Sequence, residues 1–315
     1  MKNLQVSLII PMKNESDSLA ELIKSIEEQT FQPTEVVLVD GGSTDNTIKI
    51  AEQFAEKNSK IKLIKQSEAS PGKGRNIGIE NAQNEWIALT DAGIKLEKAW
   101  LENLVEAAVE APDADVIYGN YSPISNSLFE KCAAITYVSP KRENAIRGKF
   151  TASSLMKRIV WQTVEGFPDL RAAEDLMFME SAEKQGFKSA FAPKAEVYWE
   201  LRPDFASTFQ KFSLYSKHNI WAGRAWDWHY GIIRNYLLVL PFIILTIFHS
   251  WWWLCGIPVW LAARTAKRIL THRFEFGLKS LFNPLIFGGV ALLVLTIDAA
   301  TFVGWAEAIL NKNKN

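Results

Sequence analysis

EVVLVDGGSTDNT, residues 35–47, begins with a run in which four of five residues are apolar, stops at Asp40 and passes into a pair of glycines. A short continuous apolar run closed by turn residues reads as a strand buried on both faces, the kind found in parallel sheets. The pattern recurs to either side of it. VSLII (6–10) stops at Pro11, IKLI (61–64) is a third strand, and WIAL (86–89) is a fourth, ended by Asp91-Ala92-Gly93. Residues 115–118 are strand-like again. Between these runs lie helical segments at 16–29, 44–57, 75–82 and 96–108. The first of them carries Leu19, Leu22, Ile23 and Ile26 on one stripe, with Ser16 or Asp17 as N-cap. This alternation implies an α/β domain: a mostly parallel sheet joined by right-handed crossovers, with helices on both faces. Ligands of such sheets bind beyond the carboxyl ends of the strands. Residues 11–15, 40–45 and 91–93 are therefore expected to share one crevice.

The 315 residues hold 35 Lys+Arg and 35 Asp+Glu, so the chain as a whole has no nucleic-acid signature. The balance hides a split. From Ala206 onward there are 11 Lys and Arg against 4 Asp and Glu, which leaves −7 on the first 205 residues. Nine of the 12 Trp lie at or after Trp199, eight of them in that basic half. Cys132 and Cys255 are too few for a disulfide framework and fit a reducing compartment. The N-terminus lacks the apolar length and cleavage site of a signal peptide and reads as the first strand.

The basic half carries apolar runs at 236–248 and 251–263, split by His249-Ser250, and a third at 285–303 broken only by Asp298. A bilayer span needs about 20 apolar residues. Arg234 precedes the first pair of runs, and Arg264, Lys267, Arg268 and Arg273 follow it, so both flanks favour the cytoplasm. A hairpin over 236–263, a cytoplasmic loop over 264–283 and a span over 284–304 satisfy that rule, with 311–315 outside; one bent crossing, or a buried helix bundle, is the alternative. Asp298 calls for a partner, with Arg264 and Arg234 the cations of the other segments, or else for a proton. Residues 205–233 mix Phe, Trp and Tyr with Lys211, Lys217, His218 and Arg224, as a helix lying on anionic lipid does. An amphipathic helix packed on the domain shows the same mixture.

Individual residues allow two readings each. PGKGRNIGI (71–79) spaces its glycines G-x-G-x-x-x-G after the third strand, which is not the dinucleotide fingerprint. Arg75, at the start of the helix that follows, suits a phosphate or base contact. Asp40 either accepts bonds from a ligand or caps the next helix. Asp91 either holds a cation or donor, or forms a turn. Glu174-Asp175 either complement a helix N-terminus or include a base that takes a hydroxyl proton, while Leu176 and Met179 pack inward.

VSLIIPMKNESDSL, VVLVDGGSTDNT, GKGRNIGI, WIALTDAG and EGFPDLRAAEDLMFMESAEKQGFK together resemble the successive motifs of a family 2 glycosyltransferase of the GT-A fold, over residues 4–202. AFAPKAEVYWELRP and QKFSLYSKHNIWAG resemble the membrane-attached bacterial members that build exopolysaccharide or lipid-linked glycans. The resemblance divides the chain into a catalytic domain (1–204), an interfacial segment (205–233) and a membrane region (234–310). It implies that Pro11 and Glu15 border the nucleoside, that Asp40 holds uracil or ribose, and that Arg75 contacts the nucleotide. Asp91 opens the metal-binding D-x-D, and Asp175 of the Glu174-Asp175 pair is the general base. Trp199, Arg202, Gln210 and Lys217 face the acceptor and membrane.

Two departures stand out. Gly93 replaces the second D-x-D carboxylate, so the divalent cation (Mg²⁺ or Mn²⁺) has a thin shell, and VDGGS replaces V-D-D-G-S. The expected activity is inverting transfer of a sugar from a nucleoside-diphosphate sugar to a hydroxyl of a lipid-linked or growing glycan. It would occur at the cytoplasmic face of a multi-pass protein of the inner membrane, with membrane lipids and no nucleic acid as partners. The alternatives are a polyprenyl-phosphate glycosyltransferase and a catalytically silent nucleotide-sugar-binding scaffold.

Overall fold

The computed structural model describes residues 4–141 and 146–311. The chain divides into two compact units, Met1–Pro123 with Arg142–Glu200, and residues 124–141 with 201 onward.

The first unit is built on one sheet of eight strands: β1 (Val6–Met12), β2 (Glu35–Asp40), β3 (Ile61–Lys65), β4 (Trp86–Leu89), β5 (Ile94–Leu96), β6 (Val116–Ile124), β7 (Ser154–Lys157) and β8 (Ser189–Glu200). Their order is β3-β2-β1-β4-β7-β6-β8-β5. β1 pairs in parallel with β2 and β4, and β2 with β3, as the apolar runs predict. Beyond β4 the sheet departs from that expectation. β7 is inserted antiparallel to both β4 and β6, and β5 runs antiparallel to β8. Residues 115–118 thus open β6, a strand separated from β4 by one the sequence did not announce. SLMK is too short to display a period.

Every residue of β1 from Val6 to Ile10 is buried, so both faces of the sheet are covered. On one face Ile9, Val37, Val39, Ile87 and Leu89 pack with Ile79, Phe178 and Met179 from two helices. The helix Leu19–Glu27 buries the expected stripe of Leu19, Leu22, Ile23 and Ile26. The glycine-rich segment 71–79, expected to be a loop up to Arg75, is helical from Pro71 to Glu80. Ser70 caps it by accepting the Lys73 N–H, and Pro71 needs no partner at the first position. Its glycines serve close packing: a Cβ on Gly78 would lie 2.3 Å from Ile9 Cγ2. The helix expected over 96–108 is present as Trp100–Glu110, and its expected start at Leu96 is instead the end of the short strand β5.

The second unit is helical: Leu128–Tyr137, Phe205–Trp221, Ala225–Leu237, Leu240–Phe248, Gly256–Thr271 and Pro284–Leu310. Ala225–Phe248 and Pro284–Leu310 are long and apolar enough to cross a membrane. The break expected at His249-Ser250 is present, as the end of one helix and a 3₁₀ turn Trp251–Cys255. The run after it continues as Gly256–Thr271, a helix that carries Arg264, Lys267 and Arg268. Of the residues expected on the far side, 312–315 lie outside the described residues.

Asp298 has the partner its position demands. Arg264 Nη1 and Nη2 donate to its two oxygens at 2.6 and 3.1 Å, and Tyr236 Oη donates to Oδ2 at 3.1 Å. Trp260 lies under the guanidinium at 4.7 Å. Both charged side chains are largely buried, 17% and 7% exposed. Removing one partner of such a pair costs about 3–5 kcal/mol, because the other charge stays buried alone. Asp298→Leu should therefore lose most of its folded yield, whereas Asp298→Asn keeps an oxygen for Arg264 and should lose far less. Size-exclusion yield of detergent-solubilised protein measures this, and equal wild-type yields would show that the tie contributes nothing.

Candidate active site

The loops after β1 and β2 are laced together by backbone donors. Asn14, in the left-handed region at φ 56, accepts the Thr44 N–H at 2.8 Å, a conformation Asn tolerates better than most residues. Its own N–H donates to Ser43 Oγ at 2.9 Å, and the Glu15 N–H donates to Thr47 Oγ1 at 2.7 Å. Asp45 accepts from Thr47 and from the Ser16 N–H. The Thr47 hydroxyl is the main reason its carboxyl is held down at about 2.

Asp40 is fully buried. Its Oδ2 accepts the N–H groups of Gly42 and Ser43 at 2.9 and 3.0 Å, and its Oδ1 accepts the Ser43 hydroxyl. Expected to meet the base or ribose, Asp40 here turns its carboxylate onto its own loop and fixes the shape of 41–43. The departure at Gly41 also has a reason. A Cβ there would lie 2.7 Å from the Ala69 carbonyl oxygen, so an aspartate does not fit this backbone.

Arg75 sits within the helix Pro71–Glu80 rather than at its start, and is only 4% exposed. Nη2 donates to Asp91 Oδ1 and Nη1 to Glu174 Oε1, each at 2.8 Å. Its guanidinium lies 5.5 Å over Phe167, which is stacked on Phe178 at 3.9 Å. The expected nucleotide contact is thus, in the structure, a strut between the end of β4 and the first turn of the helix Glu174–Lys184. Burial pushes the Glu174 carboxyl above its ordinary range, and the Arg75 charge pulls against that.

The two adjacent acids diverge. Glu174 is buried in the ion pair, whereas Asp175 is half-buried, with Oδ1 accepting the Leu176 N–H at 2.7 Å. Behind them Phe178, Met179 and Ala182 turn inward. Leu176, expected to do the same, is 41% exposed, because it falls on the opposite side of the helix from Phe178.

What places the pair was not apparent from the sequence. Ala173, just before Glu174, is left-handed at φ 70. Asn76 Oδ1 accepts from Trp161 Nε1 and the Phe167 N–H, and its Nδ2 donates to the Phe167 carbonyl. Ser70 donates to Asp169 at 2.5 Å. Segment 166–173 is thereby fastened to the helix that carries Arg75. The Asn following Arg75 and the Gly-Phe-Pro at 166–168 were the available signals.

Pro11 lies against this helix as well, its Cβ 3.1 Å from where a Gly74 Cβ would stand. Asp91 is 41% exposed at its side chain. Among the described residues there is no group of three or more His, Cys, Asp or Glu arranged to hold a metal.

Of the residues expected on the acceptor side, Trp199 belongs to the first unit, on β8 opposite Ile94, edge-on to Tyr121 at 6.5 Å. The other three belong to the second unit. Arg202 and Gln210 are exposed, and the Arg202 N–H donates to Tyr137 Oη at 3.3 Å. Lys217 pairs with Glu307 at 3.5 Å.

Residues 7–157 match the family described as glycosyl transferase family 2. Glycosyltransferase GlyG of Streptococcus pneumoniae is 32% identical over 117 residues, which are 37% of this chain and 38% of that protein. Putative glycosyltransferase EpsH of Bacillus subtilis is 28% identical over 153 residues, 48% of this chain and 44% of that one. The chain therefore spans less than half the length of these relatives. Among solved structures, residues 1–349 of S. aureus TarS in complex with UDP align at TM-score 0.52 and 19% identity, over 95% of this chain and 90% of that one. Mannosyltransferase PcManGT from Pyrobaculum calidifontis, in complex with GDP-Man and Mn²⁺, aligns at TM-score 0.59 and 17% identity, over 98% and 88%. These likenesses establish the GT-A-like mixed α/β fold.

Proposed function

We propose, from the match of residues 7–157 to glycosyl transferase family 2, that the chain moves a sugar from a nucleoside-diphosphate sugar to a hydroxyl of a membrane-associated acceptor, with inversion. The observation that carries the reading is the division of labour between Glu174 and Asp175. A buried acid locked to Arg75 cannot reach a substrate, while its neighbour on the same helical turn remains half-exposed. Asp175 takes the acceptor proton, and the oxygen attacks the anomeric carbon in line from the face opposite the nucleotide. The bond to the diphosphate breaks as the new one forms, and negative charge grows on the departing phosphate.

Asp91, with Oδ1 held by Arg75 and Oδ2 meeting no protein donor among the described residues, fits a divalent cation at this point. Such an ion, Mg²⁺ or Mn²⁺, when bound supplies charge neutralisation of the departing diphosphate. The donor class is supported by the UDP and GDP-Man complexes of the two structural neighbours. The two long apolar helices and the basic second half support attachment to the inner membrane, with the catalytic domain in the cytoplasm where nucleotide sugars are made.

Membranes containing the protein, given a panel of radiolabelled UDP- and GDP-sugars, should transfer label from one donor into a lipid-extractable or polymeric product. Label in a lipid released by mild acid would identify a polyprenyl-phosphate acceptor in place of a hydroxyl. Donor binding by thermal shift with no transfer from any donor would leave a binding scaffold and end the reading.

A further inference from the structure

Resting on that reading, we propose that Glu15, from the loop after β1, supplies the second carboxylate of the cation site that Gly93 lacks. The observation is steric. A Cβ built on Gly93 would lie 3.5 Å from Glu15 Oε2 and 3.9 Å from Oε1. An aspartate side chain at 93 would project from that Cβ into the space where the Glu15 carboxylate now stands. The two alternatives are mutually exclusive occupants of one place, and this chain fills it from another loop.

Glu15 is held for the task from several sides. Its N–H donates to Thr47 Oγ1 at 2.7 Å, its carbonyl accepts the N–H groups of Ser18 and Leu19 at 3.2 and 2.9 Å, and its Oε2 accepts the Ser18 hydroxyl at 2.7 Å. Asp91, meanwhile, is fixed through one oxygen by Arg75. Two carboxylates completed by diphosphate oxygens and water are the usual shell of Mg²⁺ or Mn²⁺ beside a nucleotide, which needs no cage made by protein alone. The expectation that Glu15 borders the nucleoside is thereby replaced by a role on the diphosphate side, next to Gly93.

The role separates from activity, because binding can be read without turnover. Full-length protein in detergent, with UDP or GDP present, is titrated with Mn²⁺ and the free ion followed by electron paramagnetic resonance. Glu15→Gln keeps an acceptor for Ser18 and should fold normally, yet weaken Mn²⁺ by on the order of tenfold or more. Nucleotide affinity without metal should stay at the wild-type value. Combining Gly93→Asp with Glu15→Ala, which clears that space as the isosteric Gln does not, places a carboxylate there and should recover Mn²⁺ affinity. Gly93 has no positive φ, and its Cβ contacts are ordinary, so the backbone accepts that change. Unchanged Mn²⁺ affinity in Glu15→Gln overturns the proposal, and so does a fall in metal-free nucleotide affinity, which would return Glu15 to the nucleoside. A wild-type protein that binds neither nucleotide nor donor would instead overturn the proposed function itself.

Discussion

Asp175→Asn should cut sugar transfer by roughly 10²–10⁴-fold, the usual worth of a positioned general base, while donor binding persists. The substitution keeps size and keeps an oxygen to accept the Leu176 N–H, so the first turn of the helix is preserved. What it removes is proton acceptance. Initial rates at saturating donor, with donor affinity measured by thermal shift, separate the two effects. Glu174→Gln is the informative companion. Glu174 is buried and paired to Arg75, so its loss acts through the placement of the site and should lower thermal stability as well as rate. Near-normal turnover in Asp175→Asn would remove Asp175 from the mechanism.

The difference between these neighbours marks the limit of what the sequence could tell. The parallel strands were legible because each is a short, mostly apolar run closed by a turn, and β1 pairs in parallel with β2 and β4 as that reading expects. β7 was not, since four residues within a longer segment show no period. Acids at positions 174 and 175 were visible as an acidic pair. Which of them points outward was not legible, and neither was the left-handed conformation of Ala173 just before them, which no propensity predicts for alanine. Arg75 was legible as a candidate site residue, but its ion pairs were not. A basic side chain after glycines suggests a phosphate, and only the fold brings Asp91 and Glu174 to either end of its guanidinium. The bonds that occupy Asp40 were not legible for a similar reason: they come from its own loop. Asp298 was the converse case, an isolated acid whose need for a partner could be argued from the cost of burial before Arg264 was found beside it.

Arg75→Met should strongly destabilise the catalytic unit. The guanidinium serves two carboxylates, and they are not equivalent. The Asp91 side chain is 41% exposed, so water screens it and takes over much of its solvation when Arg75 is lost. The Glu174 side chain is 8% exposed and would be left as a buried charge without a cation. Breaking such a pair from one side costs about 3–5 kcal/mol. Arg75→Lys should fall between, because an ammonium cannot span both acids as the planar fork does.

The loss has a sign in pH. Burial already raises the Glu174 carboxyl, and without Arg75 it rises further. An acid whose folded pKa is raised destabilises the fold at neutral pH, and that penalty fades as pH falls toward the unfolded value of about 4.3, where the carboxyl is protonated in the native state. The melting temperature of Arg75→Met should therefore lie well below wild type at pH 7.5, with the gap narrowing toward pH 5. Combining Arg75→Met with Glu174→Gln removes the stranded charge and should regain much of the stability at pH 7.5, a coupling that contact between the two side chains predicts. A gap that is the same at every pH, or a double variant no better than Arg75→Met alone, would show that Arg75 stabilises through its packing on Phe167 and not through the carboxylates it joins.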